Sequence, residues 1–419
     1  MKIAIVGMGY VGLPLALRFV RAGVAVLGVD VDAAKCASLN AGQSYIKHVS
    51  ATTVAQARAA ALLEATTDFA RTREVDAILL CIPTPLGEQR TPDMTFVFGT
   101  GEKLAPHLRR GQLVVLESTT YPGTTDTDLR AILERGSGLV AGRDFHLAFS
   151  PEREDPGNMQ QDAQKIPKVV GGLTPACRDR AVACYALAVE CVVPVSSCRV
   201  AEASKLLENI YRSVNIALVN ELKVVYTAMG IDIWEVIEAA KTKPFGFMPF
   251  YPGPGLGGHC IPIDPFYLTW KAREFGQHTR FIELAGEINS AMPAYVVGCA
   301  VAALGRPFSG ARILLLGLAY KADVDDDRES PAYALMELFE ARGATVSYHD
   351  PHVPVIRPTR EHPQFAGRQS QALSPDGQDL AVLVTAHREY RMYDFSAWPI
   401  PLVDTRNCAT HRPEKYFRA

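Results

Sequence analysis

The sequence predicts an α/β protein in which two doubly wound domains are joined by a long central helix. Short β-branched runs alternate with helical stretches from Lys2 to about Cys198, and a second, smaller alternation begins at ARILLLGLAY. Such alternation is typical of parallel sheets with helices on both faces. Between the two alternations, apolar residues recur at i+3 and i+4 spacing from Ala201 to about Met229, which indicates one long helix.

The predicted strands are short runs that turn signals separate. In the first domain they are KIAIVG, VAVLGVD, AILLCIP, LVVLEST, FHLAFSPE, KVVGG and CVVPV, and in the last they are ARILLLGLAY, ATVSYHD, LAVLVTA and PLVDTRN. The middle domain is predicted to be a helical spine with a functional loop and a homodimer contact on its second apolar face. The predicted domain ranges are 1–200, 201–301 and 302–419.

Composition excludes several classes of protein. The chain has 419 residues, 48% of them hydrophobic, and a mean hydropathy near zero, which favours a globular protein over a membrane-spanning or disordered one. The net charge is −2 and no long basic block occurs, so no nucleic-acid partner is expected. The apolar opening run lacks a cleavage pattern and is interpreted as the first strand and helix, not as a signal peptide or membrane anchor.

The cysteines favour a reducing compartment. Nine cysteines, an odd number, are scattered through a long chain without an export signal, so we expect free thiols and a cytoplasmic protein. Four of them recur every seventh residue, but zinc sites prefer short pairs such as C-x2-C. These four are interpreted as core residues, and no metal site is predicted.

A glycine-rich turn follows the first strand directly and opens a helix. Its residues are Gly7, Met8, Gly9, Tyr10, Val11 and Gly12. Glycines in such a turn allow a tight bend, close approach of a pyrophosphate and helix packing, with the phosphates at the helix N-terminus. The next strand ends at Asp30, whose carboxylate would accept the ribose 2′-hydroxyl and repel a 2′-phosphate, and the first basic residue after it is Lys35. The sequence therefore predicts two Rossmann-like doubly wound domains joined by a long central helix, the first of which binds NAD.

Small polar residues follow two further strands of the first domain. Thr84 and Pro85 come after AILLCIP, and Thr119 comes after LVVLE. Ligands of open α/β sheets bind at the carboxyl ends of the strands. These three residues are therefore predicted to contact the cofactor.

The stretch PGPGLGGHCIPID gives the clearest indication of a catalytic site. Glycines, including Gly257, precede Cys260, and Asp264 follows four residues later. A thiol near a cation is drawn toward the nucleophilic thiolate. Lys205 supplies a cation on the long helix, where it shares one face with Asn209.

Six motifs in one order carry a resemblance to a known family. They are GMGYVG, ESTTYPGTT, SPERE, EASKLLENIYRSVNIALVNEL, GPGLGGHCIPIDP and LAYKADVDDDRES. Together they resemble the UDP-glucose/GDP-mannose dehydrogenase family over nearly the whole chain. The forms SPEREDPGN and GPGLGGHCIPIDPFYL are most similar to bacterial members that oxidise UDP-N-acetylglucosamine. The resemblance implies an enzyme of polysaccharide biosynthesis that oxidises the C6 alcohol of a UDP-hexose to a carboxylate and uses two NAD per sugar.

The resemblance also implies the catalytic residues. The family's positions fall on Thr119, Glu152, Lys205, Asn209, Cys260 and Asp264. A first hydride loss would give an aldehyde, to which Cys260 adds as a thiohemiacetal, and a second would give a thioester. Lys205 and Asn209 would stabilise the oxyanion, and Glu152 or Asp264 would deprotonate the hydrolytic water.

Further residues are implied to bind the two ligands. Arg328 is expected at the cofactor, whereas Lys321 and, on a weaker match, Arg406 are expected at the sugar nucleotide. The substrate group also includes Glu152, Arg153, Lys205, Asn209, Gly257 and His259. His259 replaces a small residue of many relatives, so it could bind substrate, tune Cys260 or simply pack.

Other hypotheses about the substrate and the function stay open at this point. The sugar could be that of UDP-glucose, UDP-N-acetylmannosamine or UDP-N-acetylgalactosamine. A 6-phosphogluconate-like or hydroxy-acid dehydrogenase would need one hydride transfer and no nucleophile, which the Cys260 loop argues against. A non-catalytic nucleotide-binding protein would tolerate loss of the six catalytic residues, all of which are present.

Overall fold

The computed structural model describes residues 1–46, 49–87, 91–153, 166–258, 261–359 and 361–419. These residues form two compact units. Unit 1 contains Met1–Glu208 and Trp270–Gln277, and unit 2 contains Asn209–Thr269 and His278–Ala419. The division falls within the long central helix.

Eight strands of the described residues form the sheet of unit 1. They are β1 (Lys2–Val6), β2 (Ala25–Val29), β3 (Leu63–Thr66), β4 (Ala77–Leu80), β5 (Leu113–Leu116), β6 (His146–Phe149), β7 (Lys168–Gly172) and β8 (Val192–Val195). Their order is β3-β2-β1-β4-β5-β6-β7-β8. The order reverses between β1 and β4, which opens a ligand crevice at the carboxyl edge of the sheet. The predicted doubly wound fold of this part of the chain is confirmed.

Helices cover the sheet of unit 1. They are α1 (Gly12–Arg21), α2 (Ala33–Asn40), α3 (Ala51–Ala59), α4 (Thr95–Leu104), α5 (Arg130–Ser137), α6 (Pro175–Tyr185) and the start of α7 (Cys198–Ala228), with 3-10 turns at Phe69–Glu74 and Ala105–His107 and a π-helical turn at Thr124–Leu129. Side chains of Asp32, Ser50 and Thr174 cap α2, α3 and α6 by accepting backbone N–H bonds. Helix α1 has no side-chain cap.

The direction of β7 differs from the prediction of an all-parallel sheet. Strand β7 runs antiparallel to β6, with Ala148 opposite Gly172 and Phe149 opposite Gly171. The run KVVGG is buried throughout, like a central parallel strand, so its residues do not encode its direction. As a result the first residue of β7, Lys168, lies at the edge where β5 and β6 have their carboxyl ends.

Unit 2 contains a smaller sheet. The described strands are β9 (Arg312–Leu316), β10 (Thr345–His349), β11 (Leu380–Leu383), β12 (Leu402–Asp404) and β13 (Tyr416–Arg418), in the order β10-β9-β11-β12-β13 and all parallel. Its helices are the end of α7, α8 (Ile233–Ala240), the start of α9 (Asp264–Glu274), α10 (Arg280–Leu304), α11 (Pro331–Glu340) and α12 (Arg388–Met392), with a 3-10 turn at Pro363–Phe365. Apolar clusters pack on both faces of the sheet, which confirms the second α/β domain. Strands β3 and β13 were not predicted.

Helix α10 passes a composition test for membrane spans. Among the described residues it is the one helix long and apolar enough, with a mean hydropathy of 1.3 over its most apolar window. Core helices of soluble proteins pass the same test. Asn289, 2% exposed in the middle of α10, accepts a hydrogen bond from the Asn220 side-chain amide and donates one to the Ser213 carbonyl, both on α7. Helix α10 is therefore a partly buried core helix.

Candidate active site

The glycine-rich turn of unit 1, Gly7–Gly12, has no room for larger residues at two positions. Gly7 has a φ of +90°, and a Cβ there would lie 2.2 Å from the Cys81 carbonyl oxygen. A Cβ on Gly12 would lie 1.9 Å from the Gly7 carbonyl oxygen, whereas Gly9 faces open space. Helix α1 begins at this turn without a side-chain cap, and a helix N-terminus attracts anions. The turn therefore fits a pyrophosphate.

Asp30 ends the strand after this turn and is 7% exposed. Its carboxylate accepts N–H bonds from Met8 at 2.8 Å and from Asp32 at 2.9 Å. The Lys35 ammonium lies 3.8 Å from the same carboxylate. These bonds fix the carboxylate beside the turn, as a ribose acceptor requires, while Lys35 offsets part of its negative charge.

The other predicted cofactor residues lie in three places. Thr84, Pro85 and Thr119 are half-buried at the carboxyl edge of the unit 1 sheet, where the Ser118 hydroxyl ties the two strand ends by donating to the Ile82 carbonyl at 2.6 Å. Tyr10 and Val11 lie in the turn itself. Arg328 belongs to unit 2, where its exposed guanidinium donates to the Asp326 carboxylate at 2.6 and 2.8 Å.

Glu152 lies just beyond β6, at the same edge of the unit 1 sheet. Its carboxylate accepts a bond from the Arg153 backbone N–H at 2.7 Å and lies 3.4 Å from the Lys168 ammonium. Arg153 in turn forms an ion pair with Glu208 at 2.7 Å. Burial alone would raise the pKa of Glu152, but nearby positive charges, Lys168 first, outweigh burial and lower it.

Lys168 also pairs with a second, deeper carboxylate. Its ammonium donates to Glu117 at 2.5 Å, and the Tyr185 hydroxyl donates to the other oxygen of Glu117. Burial raises the pKa of Glu117 despite the ammonium beside it. The prediction singled out neither Lys168 nor Tyr185, because a lysine that begins an apolar strand carries no signal of its own.

Lys205 lies on α7 in unit 1 and is 9% exposed. No hydrogen bond or ion pair joins its ammonium to another described residue. Since a buried ammonium is costly without a partner, this position suits a ligand oxygen.

Unit 2 holds a second group of the predicted catalytic residues. Asn209, one helical turn beyond Lys205 on α7, donates its side-chain amide to Asp264 at 2.5 Å. Both side chains are almost fully buried, and Asp264 begins α9. Cys260 and His259 lie outside the described residues.

Glycines of the loop before α9 are contacted by side chains of unit 2. A Cβ on Gly253 would lie 2.2 Å from Nη1 of Arg406, and one on Gly257 would lie 2.9 Å from Cβ of Tyr320. The Gly253 N–H donates to Asn220 of α7 at 3.0 Å. Gly257 is one of the predicted substrate residues, and the side chain that approaches it most closely here is that of Tyr320.

A cavity of about 720 Å³ opens in unit 2 and is called the unit 2 cavity below. Its lining residues are Trp234, Glu238, Tyr251, Pro252, Tyr320, Lys321, Ala322, Thr385, Ala386, Arg391, Arg406, Asn407, Cys408 and Thr410. Trp234 and Tyr251 stack with ring centroids 5.8 Å apart. The structure thus brings together Lys321 and Arg406, which were both predicted to bind substrate.

Arg406 is a half-buried cation of this cavity. Its Nε donates to the Val384 carbonyl at 2.9 Å, and no described carboxylate lies within ion-pair distance of its guanidinium. Burial lowers its pKa to about 10. An anionic ligand would offset this desolvation, so the cavity suits a molecule with an aromatic ring and negatively charged groups.

Comparison with known proteins identifies the family. Three sequence models match: the UDP-glucose/GDP-mannose dehydrogenase family NAD binding domain at residues 1–189, its central domain at 199–291 and its UDP binding domain at 314–411. The chain belongs to the UDP-glucose/GDP-mannose dehydrogenase family. It is an NAD-dependent UDP-sugar 6-dehydrogenase, and the predicted enzyme class and cofactor are confirmed.

Its relatives in this family carry names for different sugars. A UDP-N-acetyl-D-glucosamine 6-dehydrogenase of Pseudomonas aeruginosa is 35% identical over 93% of this chain and 92% of its own length. An NDP-N-acetyl-D-galactosaminuronic acid dehydrogenase of Ralstonia solanacearum is 34% identical over 94% and 92%. The solved structure of a UDP-D-ManNAc dehydrogenase from Pyrococcus horikoshii has a TM-score of 0.90, with 30% identity over 100% of this chain and 99% of that one.

The residues that line the unit 2 cavity lie within two of the matched family domains. Lys321, Arg391 and Arg406 lie within the stretch that matches the UDP binding domain, and Trp234 and Tyr251 lie within the central-domain match. The sequence prediction missed Trp234, Tyr251 and Arg391. The sequence signal for Tyr251 was its position directly before the glycine-rich stretch.

Proposed function

We propose that this enzyme oxidises the C6 alcohol of UDP-N-acetylglucosamine to the carboxylate, in the cytoplasm and as a homodimer, for polysaccharide biosynthesis. The observation that supports binding of a nucleotide is the unit 2 cavity, which is lined by two predicted substrate-binding cations and a stacked aromatic pair. The predicted ranges 1–200, 201–301 and 302–419 then bind NAD, form the spine and bind the UDP-sugar.

The uridine diphosphate is proposed to occupy the unit 2 cavity. Lys321 and Arg406 would pair with the diphosphate oxygens, since cations bind such anions through strong charge-assisted bonds. Trp234 and Tyr251 offer aromatic surface to the base. Gly257 would present backbone to the substrate, and Arg153 is also proposed to bind it.

NAD accepts a hydride in each of the two oxidation steps. The Gly7–Gly12 turn would hold its pyrophosphate, and Asp30 would accept a hydrogen bond from the adenosine ribose. Thr84, Pro85 and Thr119 would line the crevice beside it. Arg328 is also proposed to bind the cofactor.

Cys260 is proposed as the nucleophile. Loss of a hydride and a proton converts the alcohol to an aldehyde, and the thiolate then forms an S–C bond to give a thiohemiacetal. Loss of a second hydride and proton gives a thioester. Attack by water breaks the S–C bond, releases the carboxylate and regenerates the thiolate.

Charged and polar side chains around C6 of the sugar would assist each step. Lys205, an ammonium with no described partner, would stabilise the negative oxygen together with Asn209, whose amide is oriented by Asp264. Glu152, ionised because positive charges face it, would take the proton of the hydrolytic water. His259 could bind the sugar or tune Cys260.

The choice of sugar rests on the relatives. Each of the three named above acts on an N-acetylated amino sugar by its name, which supports an acetamido group over the plain hydroxyl of UDP-glucose. The glucosamine enzyme combines the highest identity of the three with 93% coverage of this chain. UDP-N-acetylmannosamine is the second candidate, because the mannosamine enzyme matches the whole fold with a TM-score of 0.90.

The homodimer is proposed on the exposed face of α7. Leu207, Tyr211 and Leu218 of this helix are 67%, 48% and 51% exposed. They are spaced four and seven residues apart, about one and two turns, so they share one apolar stripe, which is typical of an interface between chains. A cytoplasmic location is supported by the free thiols of the eight cysteines in the described part of the chain, because the cytoplasm is reducing.

A panel of UDP-sugars tests the proposal. UDP-N-acetylglucosamine should give the highest kcat/KM, two NADH per sugar and a product with the mass of the uronic acid. A pocket that pairs with the acetamido group should discriminate against UDP-glucose by roughly tenfold or more. Faster oxidation of UDP-glucose or UDP-N-acetylmannosamine would contradict the sugar assignment, and one NADH per sugar would contradict the covalent mechanism.

A further inference from the structure

Lys168 lies opposite the proposed base because β7 is reversed. The β6–β7 register pairs Phe149 with Gly171, so continuing it three residues past each of them places Lys168 across from Glu152. In keeping with this register, the Lys168 ammonium lies 3.4 Å from the Glu152 carboxylate. A parallel β7 would have put its glycine end at this edge instead.

The Lys168 ammonium is fixed in place by buried neighbours. Its side chain is 5% exposed, that of its partner Glu117 is fully buried, and the two are 2.5 Å apart. The same ammonium lies over the Tyr185 ring, 5.4 Å from the centroid, and the Tyr185 hydroxyl donates to Glu117. Lys168 therefore has little freedom to turn away from Glu152.

Other charges around Glu152 come from several elements of unit 1. Arg18 of α1 and Lys205 of α7 add positive charge, and the Arg153 N–H on its own segment donates to it. Glu117 adds negative charge, which the Lys168 ammonium offsets. The Cys81 thiol and the Tyr185 hydroxyl both have raised pKa values through burial and stay neutral.

We propose that Lys168 is a positioning residue of the reaction, anchored by Glu117 and Tyr185, which holds the Glu152 carboxylate in place and in its ionised form. This inference rests on the proposed role of Glu152 as the base. Lys168 itself need not touch substrate or cofactor.

The pH profile of kcat tests the inference. A base acts in its ionised form, so activity falls when pH drops through its pKa, and removing a nearby cation raises that pKa. In Lys168→Met the acidic limb should therefore move to higher pH. At pH 6 we expect kcat to fall on the order of tenfold, with a change below about threefold on the alkaline plateau.

Two further variants separate positioning from stability. Lys168→Met leaves Glu117 buried without its cation and can unfold the protein, which thermal melting would reveal. The double variant Glu117→Gln/Lys168→Met removes both charges and should show the same limb shift relative to Glu117→Gln alone. Lys168→Arg keeps the cation and should restore most of the wild-type profile.

Glu152→Gln distinguishes failure of this inference from failure of the proposed base. If Glu152→Gln keeps the acidic limb of the wild type, the proposed role of Glu152 is wrong. If Glu152→Gln removes the limb but both Lys168→Met variants keep the wild-type limb, the positioning role of Lys168 is wrong. A uniform loss of kcat at every pH, without movement of the limb, would also overturn it.

Discussion

Replacing Gly253 by alanine should weaken UDP binding without unfolding the protein. The new Cβ would lie 2.2 Å from Nη1 and 2.7 Å from Cζ of Arg406. Non-bonded atoms prefer about 3.5 Å, so the guanidinium must move by more than about 1 Å. Gly253 does not have a positive φ, so alanine adds no backbone strain of its own.

The expected loss follows from the bonds that Arg406 would make to the diphosphate. A hydrogen bond to a charged group contributes about 1.5–3 kcal/mol, and each 1.4 kcal/mol changes affinity about tenfold. The Kd for UDP should therefore rise about 10- to 100-fold. Stability should fall by at most about 1.5–3 kcal/mol, because the displaced guanidinium gives up its bond to the Val384 carbonyl.

Isothermal titration with UDP and thermal melting measure the two quantities separately. Gly298→Ala on α10 is a matched control, since no atom lies within 4 Å of its new Cβ, and it should bind UDP like the wild type. Arg406→Gln should lose as much affinity as Gly253→Ala, and the double variant should lose no more. Wild-type affinity in a folded Gly253→Ala protein would show that Arg406 does not bind UDP in this cavity.

Two further predictions concern the thiol and the cofactor. Cys260→Ala should lower carboxylate formation by several orders of magnitude while NAD binding and the melting temperature stay near wild type; release of acid with two NADH at a near-wild-type rate would mean that Cys260 only packs. The carboxylate of Asp30 should make kcat/KM with NAD tenfold or more higher than with NADP. Lys35→Ala should widen this ratio because Lys35 lies 3.8 Å from that carboxylate; equal values for both cofactors would disprove the role of Asp30.

Sequence alone predicted the elements whose signals are local. The turn at Gly7–Gly12 and the long helix α7 depend on spacing within a few residues, and both lie where predicted. Strands β3 and β13 were missed for a physical reason. Each has three or four residues, and β13 lies at the sheet edge with little of it buried, so neither shows a clear hydrophobic period.

The walls of the unit 2 cavity were harder to predict than its cations. Lys321 and Arg406 follow strands that the sequence marks plainly, so their place at a sheet edge could be expected. Trp234 lies in the first turn of an apolar helix, IWEVIEAA, where sequence patterns predict that an aromatic residue packs in the core. Arg391 is predicted to be a solvent-exposed charge. Their convergence on one cavity depends on tertiary packing, which no local spacing encodes.

The buried pair of Lys168 and Glu117 links the reversed strand to the chemistry. Buried ion pairs add little net stability, because the cost of removing two charges from water offsets their attraction, and apolar residues of similar size often serve as well. Stability therefore gives a weak reason for this pair. Its location gives a stronger one, since the carboxyl edge of a doubly wound sheet is where ligands bind. Only an antiparallel β7 brings its first residue, a lysine, to that edge beside Glu152, so the direction of one strand determines the charge that the proposed base experiences.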